Sequence, residues 1–295
     1  DLARRVAFDR SLCSAVFRIF ADCVQGWYET QARSAGISEP HGGSILQIQR
    51  FTDGAGLWPH GHAAFLDGVY HEVAGGPPAF FQTPSPQTVD LETITHRIAR
   101  RIHGLLRRRG LLGGPGDGPT ADEAGTTEAG TDASFTQATQ LLLQCAQAPA
   151  AEHRRVPGYQ QPSRRARQRD ALRGRAPKSA SRKEPKLLAK VDGFQLHAGR
   201  PIEAHQRDRL ERLLRYMARP PISSERIRLR DDGKVTFYLK RARRNGVNAL
   251  VYEGVALVAR LAALIPPPGM NMRIFYGLFA ARHPLRRRIV PVPPD

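Results

Sequence analysis

Cysteine is nearly missing from this chain. Only Cys13, Cys23 and Cys145 occur in 295 residues, and no two of them share a CxxC spacing. That scarcity argues against a disulfide framework and a cysteine-built zinc site, and it fits a reducing, cytoplasmic compartment. Long hydrophobic runs are missing too. No apolar stretch approaches the roughly 18 residues that would span a bilayer, and no lipidation motif is present. No signal peptide is visible, because Asp1-Leu2-Ala3-Arg4-Arg5 leads into an amphipathic pattern and not an apolar one. An initiating Met is absent as well, so the chain is expected to have lost a segment at its N-terminus. Acid is scarce. Against 45 Lys and Arg stand 27 Asp and Glu, a formal net charge of +18. Charge of that size points to a polyanionic partner, nucleic acid first. An anionic membrane surface is disfavoured by the missing anchors.

What is present begins with helical periodicity. Over 3–34 the apolar positions Val6, Leu12, Val16, Ile19, Phe20, Val24 and Trp27 predict one long helix or two in series. Ser44–Phe51 reads as a strand, and the short glycine-bearing turn after it predicts an antiparallel partner over 60–66. A helix is expected at 88–110, with Ile94, Ile98, Ile102 and Leu105 inward and Arg100 and Arg101 among the arginines outward. That basic face is either solvated or turned to DNA. Residues 113–135 lose hydrophobic periodicity, and a short helix is expected around 138–147. Residues 154–190 hold 13 Lys and Arg against Asp170 and Glu184, which predicts a flexible basic arm that binds phosphates without reading bases. Further on, 191–197 reads as an alternating strand and 203–218 as a helix ending before Pro220. Strands at 227–230 and 235–240 flank Asp231-Asp232-Gly233, and 253–265 reads as a helix.

Two stretches carry chemistry. In Trp58-Pro59-His60-Gly61-His62 two histidines occupy alternate positions of a strand, so they share one face with roots roughly 7 Å apart. Two imidazoles at that spacing can converge on one divalent ion, although two solvated strand histidines satisfy the pattern equally. Far downstream, Tyr216 lies on an arginine-rich helix near Arg212, Arg215 and Arg219. A phenol is a weak nucleophile at neutral pH, and neighbouring cations would favour attack by the phenolate. A tyrosine packed beside the Leu210-Leu213-Leu214 stripe is the plainer alternative.

Seven ordered blocks decide between these alternatives by resemblance. They are Ile48–Phe51, Pro59–His62 with Leu66–Tyr70, Arg107–Leu112, Gly193–Ala198, Arg215–Ile222, Leu261–Pro268 and Tyr276–Ala280. In this order they resemble the HUH-type rolling-circle transposases of bacterial insertion sequences, the group with two-tyrosine and common-region members. The resemblance implies an α+β fold, an antiparallel sheet flanked by helices with the two histidines on a central strand, interrupted by a long disordered basic insertion. It divides the chain into a first part of the catalytic domain (1–112), a linker and basic arm (113–190), a second part with the tyrosine helix (191–280) and a basic tail (281–295).

By the same resemblance the activity is cleavage and rejoining of single-stranded DNA at element ends and target, through a 5′-phosphotyrosine. The setting would be cytoplasmic and nucleoid-associated, with no membrane and no small-molecule substrate. His60 and His62 would hold Mg²⁺ or Mn²⁺, and Tyr216 would attack. A third ligand is expected. Alternation puts Gln47 and Gln49 on one face, with Gln49 preferred because it lies nearer the loop leading to the histidines, and Asp67 points to the other strand face. Arg50 and His197 are expected on phosphate, and Arg100, Arg101, Arg212, Arg215 and Arg219 on DNA. Three departures stand out. Arg212 replaces the second tyrosine, which makes this a single-tyrosine chain. The cysteine-rich N-terminal module is missing, in keeping with truncation. Gly61 replaces the usual bulky apolar residue between the histidines, which should loosen a central strand. An inactive remnant that only binds DNA, and a replication initiator or relaxase, are the alternative functions.

Overall fold

The computed structural model describes residues 2–52, 56–112, 144–147, 149–157, 187–199, 201–219 and 222–291. The chain is α+β, built from small antiparallel sheets and helices. It opens with two helices in series, α1 (Leu2–Phe8) and α2 (Arg10–Ser34). Asp9 separates them because its carboxylate caps α2, accepting from the Leu12 N–H at 2.9 Å. Then come β1 (Gly43–Phe51) and β2 (Leu57–Phe65), followed by a small hairpin of β3 (Gly68–His71) and β4 (Ala79–Gln82). Helix α3 (Thr88–Arg108) starts in a capping box and ends at Gly110, whose φ of 63° permits the left-handed stop.

Strand β5 (Glu152–Arg154) precedes β6 (Leu188–Val191) and β7 (Phe194–His197). These last two correct an expectation. The single strand read at 191–197 is the returning half of a hairpin, turned by Asp192 (φ 47°) and Gly193 (φ 82°), the two left-handed residues of a tight turn. Helix α4 (Arg207–Met217) follows, then β8 (Ile227–Leu229), β9 (Val235–Tyr238), β10 (Ala249–Tyr252), helix α5 (Gly254–Ala263), β11 (Arg273–Gly277) and the short α6 (Arg286–Ile289). The linker at 113–143 and the body of the basic arm, 158–186, lie outside the described residues, as does most of the helix expected at 138–147.

The first sheet has the order β11-β1-β2, all antiparallel, with β1 in the middle. The second has the order β5-β10-β9-β8. Alternation on β1 separates two environments. Leu46 and Ile48 point into a core filled by α2 and α3, while Gln47 and Gln49 lie on the opposite face beside His62 and His60.

The expected place of the histidine strand is therefore corrected. Among the described residues β2 is an edge strand, which is where Pro59 is tolerated because its missing N–H faces no partner. Nor does Gly61 leave a hollow. A Cβ on it would stand 2.9 Å from Leu46 Cδ1 and 2.9 Å from Phe17 Cε1, so those side chains already fill the space.

A third cluster, with Phe8, Phe51 and Ala263, joins α1, the end of β1 and the end of α5. At its centre lies Arg50, only 2% exposed. Its guanidinium donates to Ala7 O (3.1 Å), Ala263 O (3.2 Å) and Leu264 O (2.8 Å). These are carbonyls at the C-terminal ends of α1 and α5, groups that have no partner within their helices and carry the negative end of the helix dipole. The Phe8 and Phe51 rings cover the cation, with centroids 5.0 and 5.2 Å away. Burial lowers the Arg50 pKa to about 10, which leaves it charged at neutral pH. Arg50→Met should lower the unfolding free energy by about 3 kcal/mol or more, through loss of charge-assisted hydrogen bonds to three buried carbonyls. Arg50→Lys should recover only part, because an ammonium lacks the planar fork. Thermal and urea unfolding check this, and a wild-type midpoint for Arg50→Met would refute it.

Candidate active site

The open face of the first sheet is built from three strands. Cross-strand pairing sets Gln49 opposite His60, and Gln47 opposite both His62 and Arg273. The His60 and His62 ring centroids are 5.1 Å apart at an interplanar angle of 80°. Two imidazoles sharing one ion at bond lengths of about 2.1 Å would stand roughly 4.5–5.2 Å apart. The observed separation fits.

Protonation fits as well. His60 Nδ1 lies 2.8 Å from Trp58 O. A carbonyl only accepts, so Nδ1 donates in this bond and Nε2 is the ring nitrogen it leaves uncommitted. Burial, with a smaller contribution from neighbouring His60, lowers the His62 pKa below its ordinary 6.5. His62 is therefore neutral at pH 7, the form that binds a metal.

Among the described residues no group of three His, Cys, Asp or Glu could hold a metal ion. A third protein ligand must come from another residue type. Gln47 Oε1 already accepts from Arg273 Nε at 3.2 Å. Gln49 uses its amide N–H in a long bond, 3.5 Å, to Met217 O, so its carbonyl oxygen is not committed to that bond, and its Cα pairs with that of His60 across the sheet. Asp67 is taken up by Gln82 at 3.1 Å. Of the three, Gln49 has the donor atom best disposed to join the histidines.

Helix α4 brings the tyrosine. Its apolar stripe is short, and Met217 is its one buried residue. Gln49 holds the Met217 carbonyl, and Tyr216 sets its ring 5.7 Å from that of His62, edge to face. Tyr216 is 54% exposed. Three other phenols are in the opposite situation. Burial pushes Tyr28 and Tyr276 up to about 12 and raises Tyr252, so they keep their protons. The buried thiols are equally unsuited to attack, with Cys13 pushed up to about 11 by burial.

The expected DNA contacts divide. Arg212, Arg215 and Arg219 are exposed on or just after the tyrosine helix, Arg215 paired with Glu211 at 2.6 Å. Arg50 is corrected from a phosphate contact to a buried clamp, because its donors are spent on carbonyls. Arg100 and Arg101 lie on α3, behind the sheet, and Arg101 reaches Asp22 and Cys23 of α2. His197 is on the β6–β7 hairpin, which packs against α3 and not on the histidine face. None of these three joins the histidine row. Sequence reasoning missed Arg273, which is separated from Gln47 by 226 residues and has no local signal.

Residues 43–287 match the model of the protein family described as "Putative transposase". The chain belongs to this transposase family. The matched span starts at the first residue of β1 and contains the histidine strand, the tyrosine helix and β11. Family membership carries DNA-processing activity and DNA as the expected partner. No curated protein and no solved structure shows significant similarity to the chain. Among the described residues no helix is long and apolar enough to cross a membrane.

In a pH titration followed by NMR of the imidazole rings, His62 should titrate below 6.5. His60→Gln should move that midpoint part of the way up, because burial is the larger cause. As pH falls through the lowered pKa the ring protonates and metal affinity should fall with it. A His62 midpoint at or above 6.5 would contradict the assignment.

Proposed function

We propose that this transposase-family chain cleaves and rejoins single-stranded DNA through Tyr216, in an HUH-type rolling-circle transposition. One observation carries the reading: two strand histidines and an exposed tyrosine from a helix over 140 positions later meet in one ring-to-ring series. His60 Nε2, the His62 ring and Gln49 Oε1 would hold Mg²⁺ or Mn²⁺. When bound, such an ion supplies Lewis-acid polarisation of the scissile phosphate.

The protein's own groups do the rest. Tyr216 Oη forms the new bond to phosphorus, and the bond from phosphorus to the 3′-oxygen breaks. The phenolic hydrogen is accounted for on the released 3′-hydroxyl, and the 5′-phosphate stays on the tyrosine. The reverse step joins strands. Arg212 and Arg219 provide positive potential beside the phenol, which favours both the phenolate and the approach of the strand. The β1–β11 pairing supports a catalytic domain completed by both ends of the chain across the basic insertion. Gly61 does not argue for an inactive remnant, since Phe17 and Leu46 occupy the space beneath it.

The test is incubation with single-stranded DNA from an element end and Mn²⁺, followed by denaturing electrophoresis. A covalent adduct is expected from the wild-type chain and none from Tyr216→Phe. His60→Ala and His62→Ala should each weaken Mn²⁺ binding by tenfold or more, roughly the loss expected when a metal site is disturbed. An adduct that persists in Tyr216→Phe would rule out this nucleophile. Failure of the wild type to form any adduct while still binding the DNA would favour the remnant.

A further inference from the structure

The open face of the first sheet does not end at the histidine row. One row along, the pairing sets Phe275 of β11 opposite Ile45 of β1, and Ile45 opposite Ala64 of β2. Alternation fixes which way these residues point. Met272, Ile274 and Tyr276 pack against the core behind the sheet, so Arg273 and Phe275 take the front. Leu46 and Ala63 likewise belong to the core, which leaves Ile45 and Ala64 on the front with Gln47 and His62. Phe275 is 45% exposed there, and Ile45 and Ala64 are half-buried.

A solitary exposed phenylalanine needs no explanation. The setting of this one is different. The solvated face of an antiparallel sheet is ordinarily polar, yet here an apolar row of three lies next to the row of Gln47, His62 and Arg273. Arg273 has a fixed place in that second row, because its Nε donates to Gln47 Oε1 at 3.2 Å. From His62, Phe275 is one row along, roughly 7 Å, and two strands across, roughly 10 Å.

A flat apolar ring next to a guanidinium, on a chain with a formal net charge of +18, suits a ligand that is both flat and anionic. A nucleotide combines the two, and every base has a π-face that can stack on an aromatic side chain. In a duplex those faces are already stacked on neighbouring bases, so only an unpaired strand offers one. We propose that Phe275 is a stacking platform for a base of single-stranded DNA, close to the phosphate at the histidine row. Ile45 and Ala64 extend its apolar surface. The choice of ligand rests on reading that row as a site for single-stranded DNA. The platform selects unpaired strands without reading sequence, since stacking tolerates any base.

The test uses the full chain in EDTA and fluorescence anisotropy of two labelled twelve-nucleotide strands, oligothymidylate and its abasic phosphodiester counterpart. Phe275→Ala should weaken oligothymidylate binding by about fivefold or more, the lower end for loss of one stacked base. Affinity for the abasic strand and the slope of affinity against salt should stay at wild-type values, because no phosphate contact is removed. Phe275→Trp should keep oligothymidylate affinity, and its added emission should be quenched by oligothymidylate and not by the abasic strand. Wild-type oligothymidylate affinity in Phe275→Ala overturns the proposal. So does an equal loss on both strands, which marks a structural effect, or Phe275→Trp emission that does not respond to bases. A wild-type dimer that Phe275→Ala dissociates, with oligothymidylate affinity unchanged, makes the row a contact between copies of this chain instead. Failure here leaves the Tyr216 reading intact, because adduct formation is measured separately with Mn²⁺. Conversely, a chain that stacks bases and forms no adduct loses the Tyr216 reading and keeps this platform.

Discussion

The architecture depends on one buried cation. Arg50 lies on the central strand between Gln49, which pairs with His60, and Phe51, which packs with Phe8 and Ala263. By donating to carbonyls at the ends of both α1 and α5 it answers two helix termini with one charge. The strand that positions the histidine row is thereby tied to the helix that borders the four-stranded sheet. An unpaired guanidinium there would be strongly destabilising, and the cost is offset only because three carbonyls and two aromatic rings close around it.

The second constraint is the two-residue period of the first sheet. Leu46 and Ile48 face the helices, and Gln47 and Gln49 face outward. A one-residue slip would bury the glutamines and expose the leucine, so packing behind the sheet fixes the register of the polar groups in front. Gly61 shows how closely the two sides are coupled. The residue between the histidines is the one over which Phe17 closes, so the helix covering the back of the edge strand also steadies the histidines on its front. This division puts Tyr216 and the exposed arginines of α4 on the polar side, where a strand of DNA can reach them.

Much of this was legible in the sequence. Helices α2, α3, α4 and α5 follow from apolar spacing and their stop signals, and the pairing of β1 with β2 follows from a short glycine turn. The shared face of His60 and His62 follows from strand periodicity alone. Other parts were hidden for physical reasons. Strand β10 is four buried residues, Ala249–Tyr252, with no alternation to mark it. The Asp192-Gly193 turn was present as a signal, yet the alternating residues after it read as one strand. Arg50 was expected on phosphate, and nothing local foretells a clamp whose partners are 43 and 213 residues away. Arg273 was invisible for the same reason. Whether a strand is central or at an edge is a property of pairing, which local sequence does not encode.

The account stands or falls on whether His60, His62 and Tyr216 surround one ion. Paramagnetic broadening by Mn²⁺, followed in NMR spectra of the histidine and tyrosine rings, measures this without any DNA. The account expects the signals of His60, His62 and Tyr216 to broaden together at substoichiometric Mn²⁺, before those of Tyr28 and Tyr252. Histidine signals that broaden while Tyr216 stays sharp, or broadening centred on other residues, would contradict it.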